Sequence, residues 1–240
     1  MSLRSRSFFQ MADTMISKIV IHNSISIDGS LSSFEPNMEL HYRIAGRYHP
    51  DMHLIGSHTI TAGIELYGNG IPYEEALDFE KPTRRKNLPI WVLVDSKGKL
   101  EGMLHTCRRF EMCRDVIVLV SQSTPQRYLR YLDERQYDHY CIGRDSVDLR
   151  QALILLCKKY HAKTILTDTG RILGNLLLNQ GLVDEISLLI HPVIVGNKSY
   201  NMFRDIERNL SVSLLKCERL EKQYIWLVYT VKKKRKSLDH

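Results

Sequence analysis

Residues 163–196, KTILTDTGRILGNLLLNQGLVDEISLLIHPVIVG, constrain the fold more than any other stretch of the chain. Thr164, Ile165 and Leu166 make a short apolar run with a β-branched start, the pattern of a buried strand. The run ends in the polar triplet Asp168-Thr169-Gly170, and a helical pattern follows at once. Leu173, Leu176, Leu177 and the aliphatic stem of Gln180 fall three and four apart, on one helix face. Gly181 supplies the stop. Ile186, Leu188 and Ile190 then alternate with Ser187, Leu189 and His191, which is a strand period. A βαβ unit this compact joins the carboxyl end of a strand to the amino end of a helix. Backbone N–H groups and the helix dipole favour an anion there, so a phosphate-bearing ligand is the physical expectation.

The rest of the chain supplies partners for this unit. Residues 18–28, KIVIHNSISID, set Ile19, Ile21, Ile25 and Ile27 against Val20, His22, Ser24, Ser26 and Asp28. A strand with one core face and one increasingly polar face is expected. A short helix is expected over 38–46, and a strand over 52–57 that runs into Gly56-Ser57-His58-Thr59. Residues 62–87, rich in Gly, Pro and charge, read as a long functional loop or a lid. Strands follow at 88–95 and 115–121, the second apolar enough to be buried on both faces, with another at 140–143. Asp148 caps a helix with the stripe Leu149, Ala152, Leu153, Leu156 and Tyr160. Residues 210–218 and 223–232 read as two strands joined by a charged turn. Strands separated by helices and closed by an antiparallel pair predict a three-layer α/β/α fold with a mostly parallel sheet. Residues 18–231 are read as one domain, 1–17 as a poorly ordered extension and 232–240 as a basic tail.

Charge and cysteine usage narrow the function. The formal charge is +7, and the run Lys232-Lys233-Lys234-Arg235-Lys236 carries five of those positive charges. A nucleic-acid-binding domain more often spreads basic residues over a face among aromatics, so the tail reads as solvated and nucleic acid is not the expected partner. No apolar run approaches the ~20 residues of a membrane span. Cys107, Cys113, Cys141, Cys157 and Cys217 are odd in number and form no Cys-x-x-Cys pair. That usage points to reduced thiols in the cytoplasm, not to a disulfide framework or a zinc ribbon.

In an open α/β sheet the ligand belongs at the carboxyl ends of the strands. Those ends are Ser26-Ile27-Asp28-Gly29, Gly56-Ser57-His58-Thr59, Asp95-Ser96, Ser121 and Thr167-Asp168-Thr169-Gly170. Each offers a small hydroxyl, a carboxylate or a glycine, and the expectation is one shared cleft.

These segments, in this order, resemble the reductase domain of riboflavin biosynthesis, a relative of dihydrofolate reductase by fold. The matching pieces are Ser26-Ile27-Asp28-Gly29, Gly56-Ser57-His58-Thr59, Val94-Asp95-Ser96 and residues 167–196. The most specific are Gly181-Leu182-Val183-Asp184-Glu185 and Pro192-Val193-Ile194-Val195-Gly196. The resemblance implies a dihydrofolate-reductase-like fold, a homodimer, and NADPH-dependent reduction of a phosphorylated, ribosylated aminopyrimidine, its ribosyl group becoming ribityl. It implies Thr169, Gly170, Arg171, Ile172 and Leu173 beside the cofactor pyrophosphate, Ser57 and Thr59 on the nicotinamide side, and Ser121 near adenosine. Asp28 and Asp168 fall on the pyrimidine side as the catalytic pair, carboxylates suited to accept from amino groups. The chain departs from the family pattern at Ser30, where a basic residue is usual, at Gly63, near a usual Asp-Pro, and at Asp168-Thr169, where Glu-Gly is common. A pteridine or folate reductase, or a non-catalytic homologue that binds nucleotide, are the alternative readings.

His41, His49, His53 and His58 cluster in sequence, but Pro50 interrupts the i, i+4 pair and no carboxylate completes a zinc motif, so no metal is expected. Asp184-Glu185 reads as a solvated turn and Cys217 as core. No Gly-x-Gly-x-x-Gly is present, which disfavours a Rossmann site.

Overall fold

The computed structural model describes residues 17–67 and 70–232. Residues 1–16 of the expected extension, and the basic tail beyond Lys232, lie outside the described residues. In chain order the first elements are β1 (Lys18–Ser26), α1 (Met38–Gly46), β2 (Met52–Gly56) and α2 (Ser57–Tyr67). They are followed by β3 (Ile90–Val94), α3 (Leu104–Arg109), β4 (Val116–Val120) and α4 (Gln126–Glu134). Then come β5 (Asp138–Cys141), α5 (Leu149–Tyr160), β6 (Thr164–Thr167) and α6 (Arg171–Asn179). The chain closes with β7 (Glu185–His191), β8 (Val212–Leu220) and β9 (Tyr224–Val231). The class is α/β, with mostly parallel strands and an antiparallel carboxyl-terminal set, as the element pattern predicts.

Contacts divide the chain into two compact units, and the division falls inside β6, between Ile165 and Leu166. The first holds Ser17 and residues 50–165. In it β2, β3, β4 and β5 lie side by side, all parallel. All five residues of β4 are buried, so VIVLV has a core on both faces. Leu93, Val118, Leu100, Leu104, Tyr128 and Leu132 are central to that core. The connection after α2 is tied down. The buried Arg108 guanidinium donates to the carbonyls of Asp78, Glu80, Arg135 and Gln136, and lies 3.7 Å over the Tyr137 ring. Arg109 pairs with Asp78, which lies in a 3-10 turn at Ala76–Phe79.

The second unit holds residues 18–49 and the described residues from Leu166 onward. Here β1 runs parallel to β7, β7 antiparallel to β9, and β9 antiparallel to β8. Helix α1 starts where Asn37 caps it, its side chain accepting from Leu40 N at 3.0 Å. Its apolar residues Leu40 and Ile44 pack with Leu189, Trp226 and Val228.

Several expectations change. Strand β1 is buried on both faces, and His22, covered by His41 of α1, is 0% exposed. Ser57-His58-Thr59 opens helix α2, where the end of a strand is expected, and the helix runs into the start of the expected 62–87 loop; Gly63 and the β-branched Thr59, Ile60 and Thr61 weaken the helical signal. Helices α3 and α4 are absent from the sequence reading, and β5 starts two residues earlier than expected, at Asp138. Cys217 is exposed, since no residue of β8 is buried: every position is exposed or half-buried.

Candidate active site

The turn between β6 and α6 carries most of the expected cofactor residues and lies in the second unit. Leu166 and Thr167 are fully buried, and the chain leaves the strand through Asp168 and the buried Thr169. Gly170 is the N-cap of α6, extended at φ −66° and ψ −179°, with no side-chain cap. The N–H groups of a helix's first turn have no acceptor within the helix, so this end presents donors and the positive end of a dipole. Leu173 is buried and Ile172 is exposed, so what they can share at a ligand is their backbone N–H groups. Arg171 is held: its Nε lies 2.8 Å from Asp205 Oδ2, and its guanidinium sits 4.2 Å over the Tyr200 ring.

Thr167 Oγ1 and the side-chain amide of Asn175 are buried and have no hydrogen-bond partner in the structure. A buried unpaired polar group costs about 1–3 kcal/mol, and a polar ligand at this turn would recover part of that. The donor-rich helix end fits a pyrophosphate on the same grounds.

Asp28 sits in a different local network of the same unit. Its Oδ1 accepts from Ser26 Oγ at 2.6 Å and Val195 N at 3.1 Å, and its Oδ2 from Gly196 N at 2.9 Å. Those donors, Ser26 foremost, pull its carboxyl down to about 2. Gly29 beside it has φ +81°, and a Cβ there would meet Asn201 Nδ2 at 2.9 Å, so glycine is required. Ser30, where the family pattern is broken, is fully buried and bridges to Asn201, its Oγ accepting from Tyr200 N at 2.8 Å.

The sequence reading misses a group of buried histidines, two of which, His22 and His41, lie near Asp168. His22 Nε2 lies 3.1 Å from the carbonyl of His41, and its Nδ1 lies 2.9 Å from Ser187 Oγ. The two imidazoles stack at 4.4 Å. His41 Nε2 stands 3.9 Å from Asp168 Oδ2, and its Nδ1 3.1 Å from Ser24 Oγ. Burial is the chief cause that pushes His22 down to about 3, with His41 adding to it. His191 is also buried and lowered by that burial; its Nε2 accepts from Asn37 N at 2.9 Å. His41, one of the four histidines that cluster in sequence, is 5% exposed. The available signal was His22 sharing a strand face with Ser24 and Ser26.

The first unit holds the remaining candidates. Ser57 opens α2 and Thr59 lies in its first turn, both half-buried. Ser121 is buried, its N–H donating to Thr124 Oγ1 at 3.0 Å and its Oγ 3.1 Å from Ser123 Oγ. Thr124 donates in turn to the carbonyl of Ser96, and Ser123 to that of Asp145. The loops after β3, β4 and β5 are thereby stitched together. Among the described residues no group of three or more His, Cys, Asp or Glu could hold a metal. No described helix is long and apolar enough to cross a membrane.

Residues 17–226 match the RibD C-terminal domain. The chain belongs to that family. It is a reductase family of the riboflavin pathway. Solved structures of similar fold include RibD of Acinetobacter baumannii, at 19% identity and TM-score 0.68, matching 95% of this chain and 61% of that one. The chain therefore spans about three fifths of that protein's length. A pyrimidine reductase-like protein from Corynebacterium diphtheriae is 18% identical with TM-score 0.68, covering 91% of this chain and 93% of that one. The riboflavin biosynthesis reductase Rib7 of Saccharomyces cerevisiae is 17% identical with TM-score 0.64, covering 95% and 99%.

Proposed function

We propose that the chain is an NADPH-dependent reductase that converts the ribosyl group of a phosphoribosylaminopyrimidine to ribityl. The observation that carries this reading is the amino end of α6, which begins at Arg171 just after the Asp168-Thr169-Gly170 turn, in a chain of this family. NADPH, when bound, supplies the hydride to the aldehyde-level carbon of the ring-opened ribose. The protein's part is to bind, orient and exclude water. The N–H groups at Gly170 and the first turn of α6 meet the pyrophosphate, with Thr169, Arg171, Ile172 and Leu173 around it. Arg171 donates from its terminal nitrogens while Asp205 holds Nε. Ser57 and Thr59 lie on the nicotinamide side and Ser121 near adenosine. Asp168 accepts from the amino groups of the pyrimidine. Asp28, with three donors already on its carboxylate, fixes the loop on the pyrimidine side and offers its remaining lone-pair capacity.

The candidate substrates are 5-amino-6-(5-phosphoribosylamino)uracil and its 2,5-diaminopyrimidinone counterpart. We place the protein in the cytoplasm as a homodimer, in keeping with its five free cysteines and its family. Titration with NADPH, followed by fluorescence or calorimetry, tests the cofactor. Saturable binding is expected, and no binding at concentrations on the order of hundreds of micromolar, a free energy weaker than ~5 kcal/mol, contradicts it.

A further inference from the structure

We propose that His41 is the positioning residue of Asp168: its imidazole accepts a hydrogen bond from the Ser24 hydroxyl at Nδ1 and aims its own Nε2–H at the Asp168 carboxylate. The proposal rests on the reading of Asp168 as the pyrimidine-side carboxylate, and adds the group that orients it.

The geometry starts with helix α1. Its cap at Asn37 and its apolar residues Leu40 and Ile44 turn the next position, His41, inward. The imidazole lands flat on His22, with ring centroids 4.4 Å apart and planes 29° apart. His22 has its own tautomer fixed by its partners. The carbonyl of His41 only accepts, so His22 Nε2 carries the hydrogen and donates to it across 3.1 Å. His22 Nδ1 is then an acceptor and takes the Ser187 hydroxyl hydrogen, while Ser187 Oγ accepts from Trp226 Nε1 at 2.8 Å. On this assignment the chain Trp226 to Ser187 to His22 to the His41 carbonyl runs in one direction. Its last link ties the backbone of His41 to β1.

That arrangement leaves the His41 ring one consistent set of partners. Nδ1 faces Ser24 Oγ at 3.1 Å, and Nε2 faces Asp168 Oδ2 at 3.9 Å. The carboxylate only accepts, so Nε2 carries the hydrogen and Nδ1 receives the serine's. A separation of 3.9 Å is longer than a hydrogen bond, and such links commonly tighten when substrate arrives. The titratable groups around His41 are His22 beneath it, Asp168 at Nε2, His191 from β7 and Tyr42, edge-on at 5.2 Å. His22 and His191 are both held towards the neutral form by burial, so neither competes for the carboxylate. An imidazole donor beside Oδ2 fixes the orientation of the Asp168 carboxylate, which is the requirement for reading an amino group.

The test pairs kinetics with ring NMR on the full chain. His41→Ala is expected to raise the KM for 5-amino-6-(5-phosphoribosylamino)uracil or its diamino counterpart by about tenfold or more, the loss typical of a hydrogen bond to a charged group. NADPH affinity is expected to stay within about twofold. His41→Gln, which keeps an N–H where Nε2 was, is expected to restore most of the KM. Ring nitrogen spectra at neutral pH are expected to show His41 as the Nε2–H tautomer, with that preference lost in Asp168→Ala while His22 keeps its own. An unchanged KM in His41→Ala with only a lower melting temperature overturns the proposal. A His41 tautomer indifferent to Asp168→Ala overturns it too. Wild-type protein that reduces neither pyrimidine, yet shows the Asp168-dependent tautomer, supports the His41–Asp168 link and sinks the reductase reading instead.

Discussion

Asp28 and Gly196 are joined by a 2.9 Å hydrogen bond from the glycine N–H to the aspartate Oδ2, so the end of β1 and the loop after β7 are one piece. Ser26 and Val195 complete the set on the other oxygen. The folded carboxyl titrates at about 2, below its ordinary value of 3.8. Its contribution to stability is therefore fully present above the ordinary value and is lost as pH falls through about 2. Asp28→Asn is expected to lower the urea midpoint at neutral pH, with the gap to wild type closing between about pH 4 and pH 2. A gap that stays constant over that range contradicts the network.

His22 behaves in the opposite chemical sense with the same direction in pH. Unfolded, its imidazole takes a proton near 6.5; folded, only near 3. Between those values the unfolded chain holds the extra proton, so stability falls as pH falls, by up to roughly 1.4 kcal/mol per pH unit. His22→Gln, which keeps polar groups at the site without the titration, is expected to flatten that slope by about one proton. Parallel slopes for the two proteins between pH 6 and pH 4, about the middle of that window, argue against a neutral buried His22.

Gly170 tolerates a side chain in its own backbone, since φ −66° and ψ −179° is ordinary extended geometry. Gly170→Val is accordingly expected to fold with a melting temperature near wild type. It is expected to weaken NADPH by about tenfold or more, because the branched side chain crowds the helix end that meets the pyrophosphate. Unchanged NADPH affinity removes this turn from the cofactor site.

Asp168 is assigned to the pyrimidine. Asp168→Asn keeps the shape but trades one acceptor for a donor. Turnover with the pyrimidine is expected to fall by about a hundredfold while NADPH affinity changes by less than about threefold. The reverse pattern moves Asp168 to the cofactor side.

The turn at 168–170 was legible because it rests on local rules: a strand run, a polar triplet, a helical stripe and a stop at Gly181, which takes φ +64°. The histidine cluster was not, because its burial is made by pairing far along the chain. His22 meets Ser187 only through the parallel register of β1 with β7, a separation of 165 residues. Helix α4 did carry a signal, since Tyr128, Tyr131 and Leu132 recur at helical spacing and are its buried residues. Helix α3 has six residues, less than two turns, and left no period to read. Cys217 alternates with apolar neighbours as a core position would, yet β8 pairs with β9 in a strand whose side chains stay largely in contact with solvent.

The most direct measurement of the central claim is a coupled turnover assay with the full chain, NADPH and each candidate phosphoribosylaminopyrimidine, with the product identified by mass spectrometry. The account predicts that NADPH is consumed one for one with a product carrying two more hydrogens, as a ribityl chain requires, from at least one of the two pyrimidines. Tight NADPH binding with neither pyrimidine consumed would contradict it.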